Sequence, residues 1–344
     1  MKEIRIGVIG TGNIGRTHLE AIAAAQGARV TAICDKQPHV ADEAAEIFHI
    51  DKKFYSIDDL VECPDVDAVV LAVPNYVHEE GCLKAAKNGK HVFCEKPMTM
   101  TVRQAENMTE TCHKYGVTLQ MGFCNRFLGE SEVLREYIES GLLGDMYYAH
   151  TDILRQRGAP VGWFTNKAKS GGGPLIDVGV HMIDLAWFLM GRPKPVAAKA
   201  LMYDKIPNKY PKGVELYCAY EKDDVFNVED NSFGMITFEN GAGLSYQAAW
   251  NYNGTSNDMG LNLQGTKGGA EIMPLKIFKE ELGYLTEVKP PLPEGDCYVR
   301  QIEHFARAIQ GLEPLRTPGE DGVTVQRMLC GLYESARTGK EVKL

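Results

Sequence analysis

One apolar stretch of the chain carries three residues that could do proton chemistry. The segment PLIDVGVHMIDLAWFLM, residues 174–190, is apolar almost all round a helix except for Asp177, His181 and Asp184. Their i, i+4, i+7 spacing places them on one helical face. An all-round apolar helix is normally buried, and buried acids and imidazoles are costly unless they are paired or used. We therefore interpret this helix as a carrier of chemistry, although a core histidine satisfied by Asp177 or a backbone carbonyl would also fit.

A glycine-rich motif joins the first predicted strand to the first predicted helix. It has the form GxGxxG, and its expected cofactor-binding residues are Gly10, Gly12, Asn13, Ile14 and Gly15. In this context the glycines allow a tight turn and a close backbone approach to a pyrophosphate, which faces the helix N-terminus. The motif therefore predicts a dinucleotide site.

An acidic residue, Asp35, ends the second predicted strand about 20 residues beyond the motif, where a carboxylate can accept the ribose hydroxyls. A carboxylate would repel the 2′-phosphate of NADP, although Lys36 beside it weakens that preference. We predict NAD as the cofactor, with NADP as the alternative.

Two further predicted strands end in residues that could face the cofactor. Pro74 and Asn75 follow one strand, with His78 a helical turn on, and Glu95 and Lys96 follow the next. Ligands of open α/β sheets bind outside the carboxyl ends of the strands, so we predict that all five bind the cofactor. Strand termination at Pro74 and a solvated Glu95–Lys96 ion pair are the alternatives.

In the first part of the chain, predicted strands alternate with predicted helices, and this alternation positions the residues named above. Short β-branched runs alternate with helical patterns, which predicts βαβ units and a doubly wound parallel sheet. The predicted strands are 4–9, 29–34, 68–73, 91–94 and 118–122, and the predicted helices are 14–25, 40–48, 77–88 and 102–115. We expect this domain to span residues 1–125.

The pattern changes after a predicted helix at 130–140. Longer runs rich in aromatic residues and threonine predict an α+β domain over 126–344 with a large open, mostly antiparallel sheet, and helices 299–338 packing back. The predicted strands are 146–154, 196–203, 216–220, 231–238 and 243–250. Asn240-Gly241 between two of these runs predicts a hairpin with a primed turn, which needs positive φ at both residues.

Composition excludes several classes of protein. The chain has 344 residues, of which 44% are hydrophobic, and its net charge of −9 comes without a dense basic run. We therefore expect no nucleic-acid partner. Nine cysteines without a CxxC pair favour reduced thiols over a disulfide or zinc site. The N-terminus has no apolar leader and no stretch reaches membrane-spanning length, so we expect a cytoplasmic protein with no membrane partner.

Five segments taken together resemble the Gfo/Idh/MocA family of oxidoreductases, over essentially the whole chain. They are GVIGTGNIG at 7–15, AVPNYVH at 72–78, CEKPM at 94–98, GGGPLIDVGVHMID at 171–184 and GLYESARTGKEVKL at 331–344. The resemblance implies a nucleotide-binding domain followed by an open-sheet domain, and a homo-oligomer, dimer or tetramer, formed through that sheet. It also implies that Lys96, Asp177 and His181 are catalytic and that the Lys96–Pro97 peptide is cis.

These residues suggest oxidation of a secondary alcohol, in which a hydride goes to the nicotinamide and a proton to a base. We assign His181 as the base, and Lys96 as the cation that stabilises the reacting oxygen. Asp177 either fixes the imidazole tautomer or binds a neighbouring hydroxyl, and Asp184 is structural or supports the site from behind.

The substrate predicted from these polar groups is a hydroxyl-rich neutral molecule, such as a sugar, glycoside or cyclic polyol. Candidate substrate-contacting residues are Arg126, Trp163 and Tyr252, each of which could equally serve packing or surface display. Three alternatives stay open at this point: a redox-neutral glycosidase that retains NAD, a non-catalytic nucleotide sensor, and a metal enzyme using Asp177, His181 and Asp184. We expect no metal.

Overall fold

The computed structural model describes residues 2–206, 225–254 and 258–344. The predicted strand at 216–220 lies outside these residues, as does Cys218. The chain divides into two units, one of residues 1–127 and 295–326 and the other of residues 128–294 and 327–344. Our sequence analysis divided the chain once, between 125 and 126. The structure differs because residues 295–326 return to the first unit.

The first unit contains a six-stranded parallel sheet in the order β3-β2-β1-β4-β5-β6. This is the order of a doubly wound dinucleotide-binding sheet, so the predicted fold class is confirmed here. Its strands are β1 Ile4–Ile9, β2 Ala28–Cys34, β3 Lys53–Phe54, β4 Ala68–Leu71, β5 His91–Glu95 and β6 Leu119–Gly122. Its helices are α1 Asn13–Ala24, α2 Pro38–Phe48, α3 Ile57–Glu62, α4 Asn75–Lys87 and α5 Val102–Tyr115.

The strands of this sheet are apolar because helices cover both of its faces. All four residues of β4 are buried, which is why the sequence reads there as a continuous apolar run rather than an alternation. Sequence analysis missed β3 and α3, since two and six residues are too short to show a period.

The returning segment completes the core of the first unit. Helix α9, Cys297–Ile309, follows the N-cap Asp296 and buries Ile302 and Phe305 in that core. The rings of Phe305 and Phe93 meet edge to face, with 5.7 Å between centroids. The last helix, α10 Gly319–Thr338, contributes residues to both units.

The second unit contains a nine-stranded sheet in the order β14-β13-β12-β11-β7-β10-β9-β8-β15. Every strand pair is antiparallel except β7 with β10, which confirms the predicted mostly antiparallel sheet. The strands are β7 Met146–Leu154, β8 Pro195–Tyr203, β9 Asn231–Phe238, β10 Gly243–Ala249, β11 Asp258–Gly265, β12 Gly268–Ile272, β13 Lys276–Glu281, β14 Tyr284–Val288 and β15 Val342–Lys343. Its helices are α6 Gly129–Glu139, α7 Lys167–Ser170 and α8 Val180–Leu189.

The strands from β11 to β14 were not predicted, because they carry glycines and charges in place of long apolar runs. The β9–β10 hairpin is present, but the prediction of a primed turn at Asn240-Gly241 is wrong. Gly241 has φ +83 whereas Asn240 has no positive φ, and Gly241 N–H donates to Phe238 O over 3.0 Å. The connection is therefore a type I turn followed by a left-handed glycine.

The apolar segment identified first in the sequence lies against the inner face of this sheet. It begins as one turn of π-helix, Leu175–Gly179, and continues as α8. Gly179 permits the close approach, since a Cβ there would lie 3.1 Å from the Cβ of Ala248 on β10. No helix within the described residues is long and apolar enough to span a membrane.

Candidate active site

The glycine motif of the first unit has three glycines with three different roles. Gly10 has φ +89, and a Cβ on it would lie 2.3 Å from Ala72 O. A Cβ on Gly15 would lie 1.9 Å from Gly10 O, so this glycine is required for helix packing. Gly12 is exposed, and a Cβ on it would meet nothing within 4 Å. The first and third glycines thus shape the loop, whereas the second leaves space for a ligand.

The N-terminus of α1 fits a pyrophosphate. Gly12 is the N-cap residue and supplies no side chain to the first-turn N–H groups, and Asn13 beside it is also exposed, while Ile14 is half-buried. Unpaired N–H groups at the start of a 12-residue helix attract an anion. These residues would hold the phosphates of NAD.

Asp35 is fixed beside this loop. Its Oδ2 accepts the N–H of Thr11 over 3.0 Å, and its Oδ1 accepts the N–H of Gln37 over 2.9 Å. Asp35 remains partly exposed, and Lys36 is exposed. The carboxylate is therefore held at the end of β2, where ribose hydroxyls would be bound.

Lys96 follows β5 and is half-buried, and its peptide bond to Pro97 is cis as the resemblance implied. The preceding Glu95 is not a solvated ion-pair partner, since it is only 5% exposed. One of its oxygens lies 2.7 Å from His18 Nε2, and the other accepts the N–H of Lys96 over 3.1 Å. Glu95 therefore acts on the backbone of Lys96, and its contact with the cofactor stays a prediction.

His78, another predicted cofactor contact, lies inside the first unit. It is fully buried, with Nε2 2.8 Å from Val73 O and Nδ1 3.0 Å from Pro97 O. Burial lowers the pKa of this imidazole. His78 thus ties the loop after β4 to the loop after β5 instead of facing a ligand. Asn75, the first residue of α4, is buried, while Pro74 before it is half-exposed.

The second unit presents two candidate catalytic side chains on one buried segment. From residue 172 to residue 190, Asp177 and His181 are the two residues that are not buried. Asp184, on the same stripe, is fully buried, which places it behind the site. Asp177 lies in the π-helical turn, an irregularity that is frequent at functional sites.

Trp250, at the end of β10, holds Asp177 in place. It is fully buried, and its indole Nε1 donates to Asp177 Oδ2 over 3.1 Å. Sequence analysis missed this role, although Trp250 closed a predicted strand. The only signal was the presence of a polar-tipped aromatic residue at a strand end, since a buried indole N–H needs an acceptor.

Glu229 and Tyr333 hold the start of the same segment. Tyr333 donates its hydroxyl to Glu229 Oε1 over 2.7 Å, and the N–H of Leu175 lies 3.4 Å from the same oxygen. A Cβ on Gly172 would lie 2.0 Å from the Tyr333 hydroxyl, and a Cβ on Gly173 would lie 2.1 Å from Glu229 O. This explains the glycine run before the site. Burial raises the pKa of Glu229.

The three candidate substrate contacts differ in what surrounds them. Arg126 is fully buried in the first unit, where it pairs with Asp321 over 2.5 Å and donates to Arg316 O over 2.9 Å. These contacts give Arg126 a structural role in the first unit, and its substrate contact stays a prediction. Trp163 and Tyr252 belong to the second unit and are half-buried, with the Trp163 ring stacked on Phe164 at 3.9 Å. Among the described residues, no group of three His, Cys, Asp or Glu side chains could hold a metal ion.

Both parts of the chain match a known family. Residues 4–123 match the Gfo/Idh/MocA description "Oxidoreductase family, NAD-binding Rossmann fold". Residues 135–344 match its "C-terminal alpha/beta domain". Together they span most of the sequence.

Individual relatives agree with this match. The chain is 32% identical to D-glucoside 3-dehydrogenase of Escherichia coli K12, over 99% of this chain and 97% of the relative. It is 26% identical to myo-inositol 2-dehydrogenase of Thermotoga maritima, over 99% of this chain and 98% of the relative. A solved structure of levoglucosan dehydrogenase with NADH and L-sorbose superposes with a TM-score of 0.87 and 25% identity, covering 100% of this chain and 99% of that one. The chain therefore belongs to the Gfo/Idh/MocA family of NAD-binding oxidoreductases.

Proposed function

We propose that this protein is an NAD-dependent dehydrogenase that oxidises one secondary hydroxyl of a sugar, glycoside or cyclic polyol. The observation that carries the proposal is the exposure of Asp177 and His181 on a segment that is otherwise buried from 172 to 190. An acid and an imidazole kept accessible on such a segment suit proton transfer to and from a bound ligand. NAD, when bound, supplies the hydride acceptor.

Each side chain has one role in this proposal. His181 accepts the proton of the reacting hydroxyl, because a neutral imidazole can do so near neutral pH. Lys96 stabilises the negative charge that develops on that oxygen. Asp177, whose Oδ2 accepts the Trp250 N–H, orients the imidazole or binds a neighbouring hydroxyl of the substrate.

Among hydroxyl-rich substrates we favour glycosides and anhydrosugars. The relatives named D-glucoside 3-dehydrogenase and levoglucosan dehydrogenase support this choice, as does the half-buried Trp163, since an indole face suits the apolar face of a sugar ring. Cyclic polyols are the next class, supported by the similarity to myo-inositol 2-dehydrogenase.

The test is a panel of glucosides, levoglucosan, free aldoses and inositols, offered with NAD and with NADP while NADH absorbance is followed. We expect NAD reduction with at least one glycoside. Cleavage of a p-nitrophenyl glycoside without net NADH would instead favour the redox-neutral glycosidase. Cofactor binding without turnover on any substrate would favour the nucleotide sensor.

Two variants test the assigned roles. Lys96→Ala and His181→Ala should each lower kcat by at least about 100-fold while the Kd for NADH, from fluorescence titration, changes little. Lys194→Ala and His113→Ala remove an exposed lysine and an exposed histidine and serve as controls. Loss of NADH binding in the Lys96 or His181 variant would contradict these roles.

We also propose a homo-oligomer formed through the outer face of the nine-stranded sheet. This face carries Tyr148, Leu201 and Met235, which are 39%, 53% and 47% exposed. Exposed apolar residues on a broad sheet suit a self-complementary contact with a second copy. Leu201→Glu combined with Met235→Glu should lower the molar mass measured by light scattering, and an unchanged mass would contradict this interface.

We propose the cytoplasm as its compartment, because the eight cysteines described in the structure are free thiols. Thiol labelling in intact cells should find these cysteines reduced.

A further inference from the structure

A buried histidine lies behind Lys96 and has no part in the proposed chemistry. His18 is on α1 and is fully buried, with its ring edge-on to Phe93 and to Tyr298 at centroid distances of 5.1 and 5.8 Å. Its Nε2 lies 2.7 Å from Glu95 Oε1. A polar side chain buried among aromatic rings is unusual, and its presence calls for a structural or functional explanation.

The carboxylate of Glu95 connects this histidine to the backbone of Lys96. While Oε1 faces His18, Oε2 accepts the N–H of Lys96 over 3.1 Å. Gly122 on β6 leaves room for the carboxylate, since a Cβ there would lie 2.9 Å from Glu95 Oε1. The glutamate therefore has one allowed orientation, with one oxygen for α1 and one for the peptide that carries the lysine.

The direction of the His18–Glu95 hydrogen bond follows from what each atom can do. Within the described residues His18 Nδ1 has no hydrogen-bond partner. A carboxylate can only accept, so Nε2 carries the proton and donates it. Removing that donor takes a hydrogen bond from a buried carboxylate, which is costly.

We propose that His18 is a positioning residue for Lys96, acting through Glu95. The inference rests on the proposed function, because it takes the charge-stabilising role of Lys96 from there. By fixing the Glu95 carboxylate, His18 fixes the acceptor of the Lys96 N–H and thereby the start of the lysine side chain. A misplacement of this cation by about 1 Å would lower kcat by about 100-fold without weakening NAD binding.

Two substitutions of His18 separate positioning from packing. The amide nitrogen of glutamine takes the place of imidazole Nε2, whereas that of asparagine takes the place of Nδ1. His18→Gln should therefore restore the donor to Glu95, and His18→Asn should not. We expect His18→Asn to lower kcat by about 10- to 100-fold with KM for NAD little changed, and His18→Gln to stay within about threefold of the wild type.

A control comes from a histidine on the same strand as Glu95. His91 begins β5, and its Nδ1 accepts the N–H of Thr118 over 3.0 Å. His91→Asn and His91→Gln should lower the melting temperature by amounts similar to the His18 variants. They should leave kcat unchanged, because His91 has no link to Lys96.

A second readout is independent of any substrate. In protein labelled with 15N-lysine, the Lys96 amide proton should exchange with deuterium at least about tenfold faster in His18→Asn than in the wild type, and at the wild-type rate in His18→Gln. Equal exchange in all three proteins would overturn the proposed anchoring. Faster exchange in an asparagine variant of normal kcat would overturn the positioning role. A wild-type protein inactive on every hydroxyl substrate would overturn the proposed function and the catalytic role of His18 with it, whereas the exchange result would still decide the anchoring.

Discussion

Trp250 donates its indole N–H to the carboxylate of Asp177, with 3.1 Å between Nε1 and Oδ2. Because Trp250 is fully buried, the hydrogen bond fixes one oxygen of an otherwise accessible acid. The π-helical turn presents Asp177 to this donor, and α8 then presents His181. The geometry of the proposed acid–imidazole pair thus depends on a residue that directly follows β10, 73 positions along the chain from Asp177.

Trp250→Phe should lower kcat by about 10- to 150-fold, because loss of a hydrogen bond to a charged group costs about 1.5–3 kcal/mol and frees Asp177 to rotate. Steady-state kinetics on the best substrate checks this. Trp187→Phe is the matched control, since Trp187 is also buried in this unit but donates to Pro193 O over 2.8 Å. Equal kcat losses in the two variants would point to a general packing effect.

Local features of this protein could be predicted from its sequence, whereas long-range partners could not. The glycine motif, the alternating strands and the Asp177–His181 stripe are each contained in a short window with its own period. Trp250 lies 73 residues from Asp177, Tyr333 lies 104 residues from Glu229, and Glu95 lies 77 residues from His18. No spacing pattern in the sequence identifies residues so far apart as hydrogen-bond partners.

The same limit applies to two predicted site residues that the structure shows to be buried. Arg126 and His78 stand next to motifs that face ligands, so their residue type and position favoured a binding role. Their partners in the structure include Asp321 and Arg316 O for Arg126 and three backbone carbonyls for His78, which residue type alone does not reveal. A polar residue beside a site motif can therefore be the buried support of that site.

The first two glycines of the motif should respond differently to alanine. Gly12 has φ −70 and an unobstructed Cβ position, so Gly12→Ala should keep the wild-type melting temperature while raising the Kd for NADH by at least about tenfold. Gly10→Ala places a Cβ against Ala72 O at positive φ and should cost about 1–3 kcal/mol of stability. Thermal melts and fluorescence titration measure both effects, and a destabilised Gly12→Ala would contradict the open space.

Asp35→Ser should shift cofactor preference toward NADP. The substitution removes the charge that repels a 2′-phosphate, and we expect the ratio of Kd values, NADP over NAD, to fall by at least about tenfold. Lys36→Ala is the companion variant and should move the ratio the opposite way, because it removes an exposed cation next to the same position. If the ratio stayed constant in Asp35→Ser, the ribose would be held by other residues.

Substitutions of Glu229 and Tyr333 should change the free energy of unfolding in different ways. Burial raises the pKa of Glu229, so wild-type stability should fall as pH rises from its ordinary value of 4.5 through the raised value. Glu229→Gln removes this titration while keeping an acceptor for the Tyr333 hydroxyl, and its stability should not fall over that range. Tyr333→Phe leaves the Glu229 oxygen without its main donor and should cost about 1–2 kcal/mol at neutral pH. Urea unfolding at pH 5 and pH 8 distinguishes these outcomes, and parallel pH curves for wild type and Glu229→Gln would contradict the assigned shift.

The start of the parallel sheet contains an ion pair with a different pH dependence. Arg5 donates to both oxygens of Asp67, over 3.0 and 2.8 Å, and lowers the pKa of that carboxyl from 3.8 to about 2. A carboxyl with a lowered folded-state pKa adds stability above its ordinary value, and this contribution is lost as pH falls toward 2. Asp67→Asn should therefore cost about 1 kcal/mol at pH 7 after allowance for solvent screening.

The difference between wild type and Asp67→Asn in free energy of unfolding should shrink as pH falls below 4 and continue to shrink through pH 2. Asp65→Asn is the control on the same arginine: Asp65 is 48% exposed, so its loss should matter less at every pH. Urea titrations at intervals between pH 2 and pH 7 provide the measurement. A difference that grew on acidification would mean that Asp67 is more readily ionised in the unfolded chain than beside Arg5, the reverse of what their two hydrogen bonds imply.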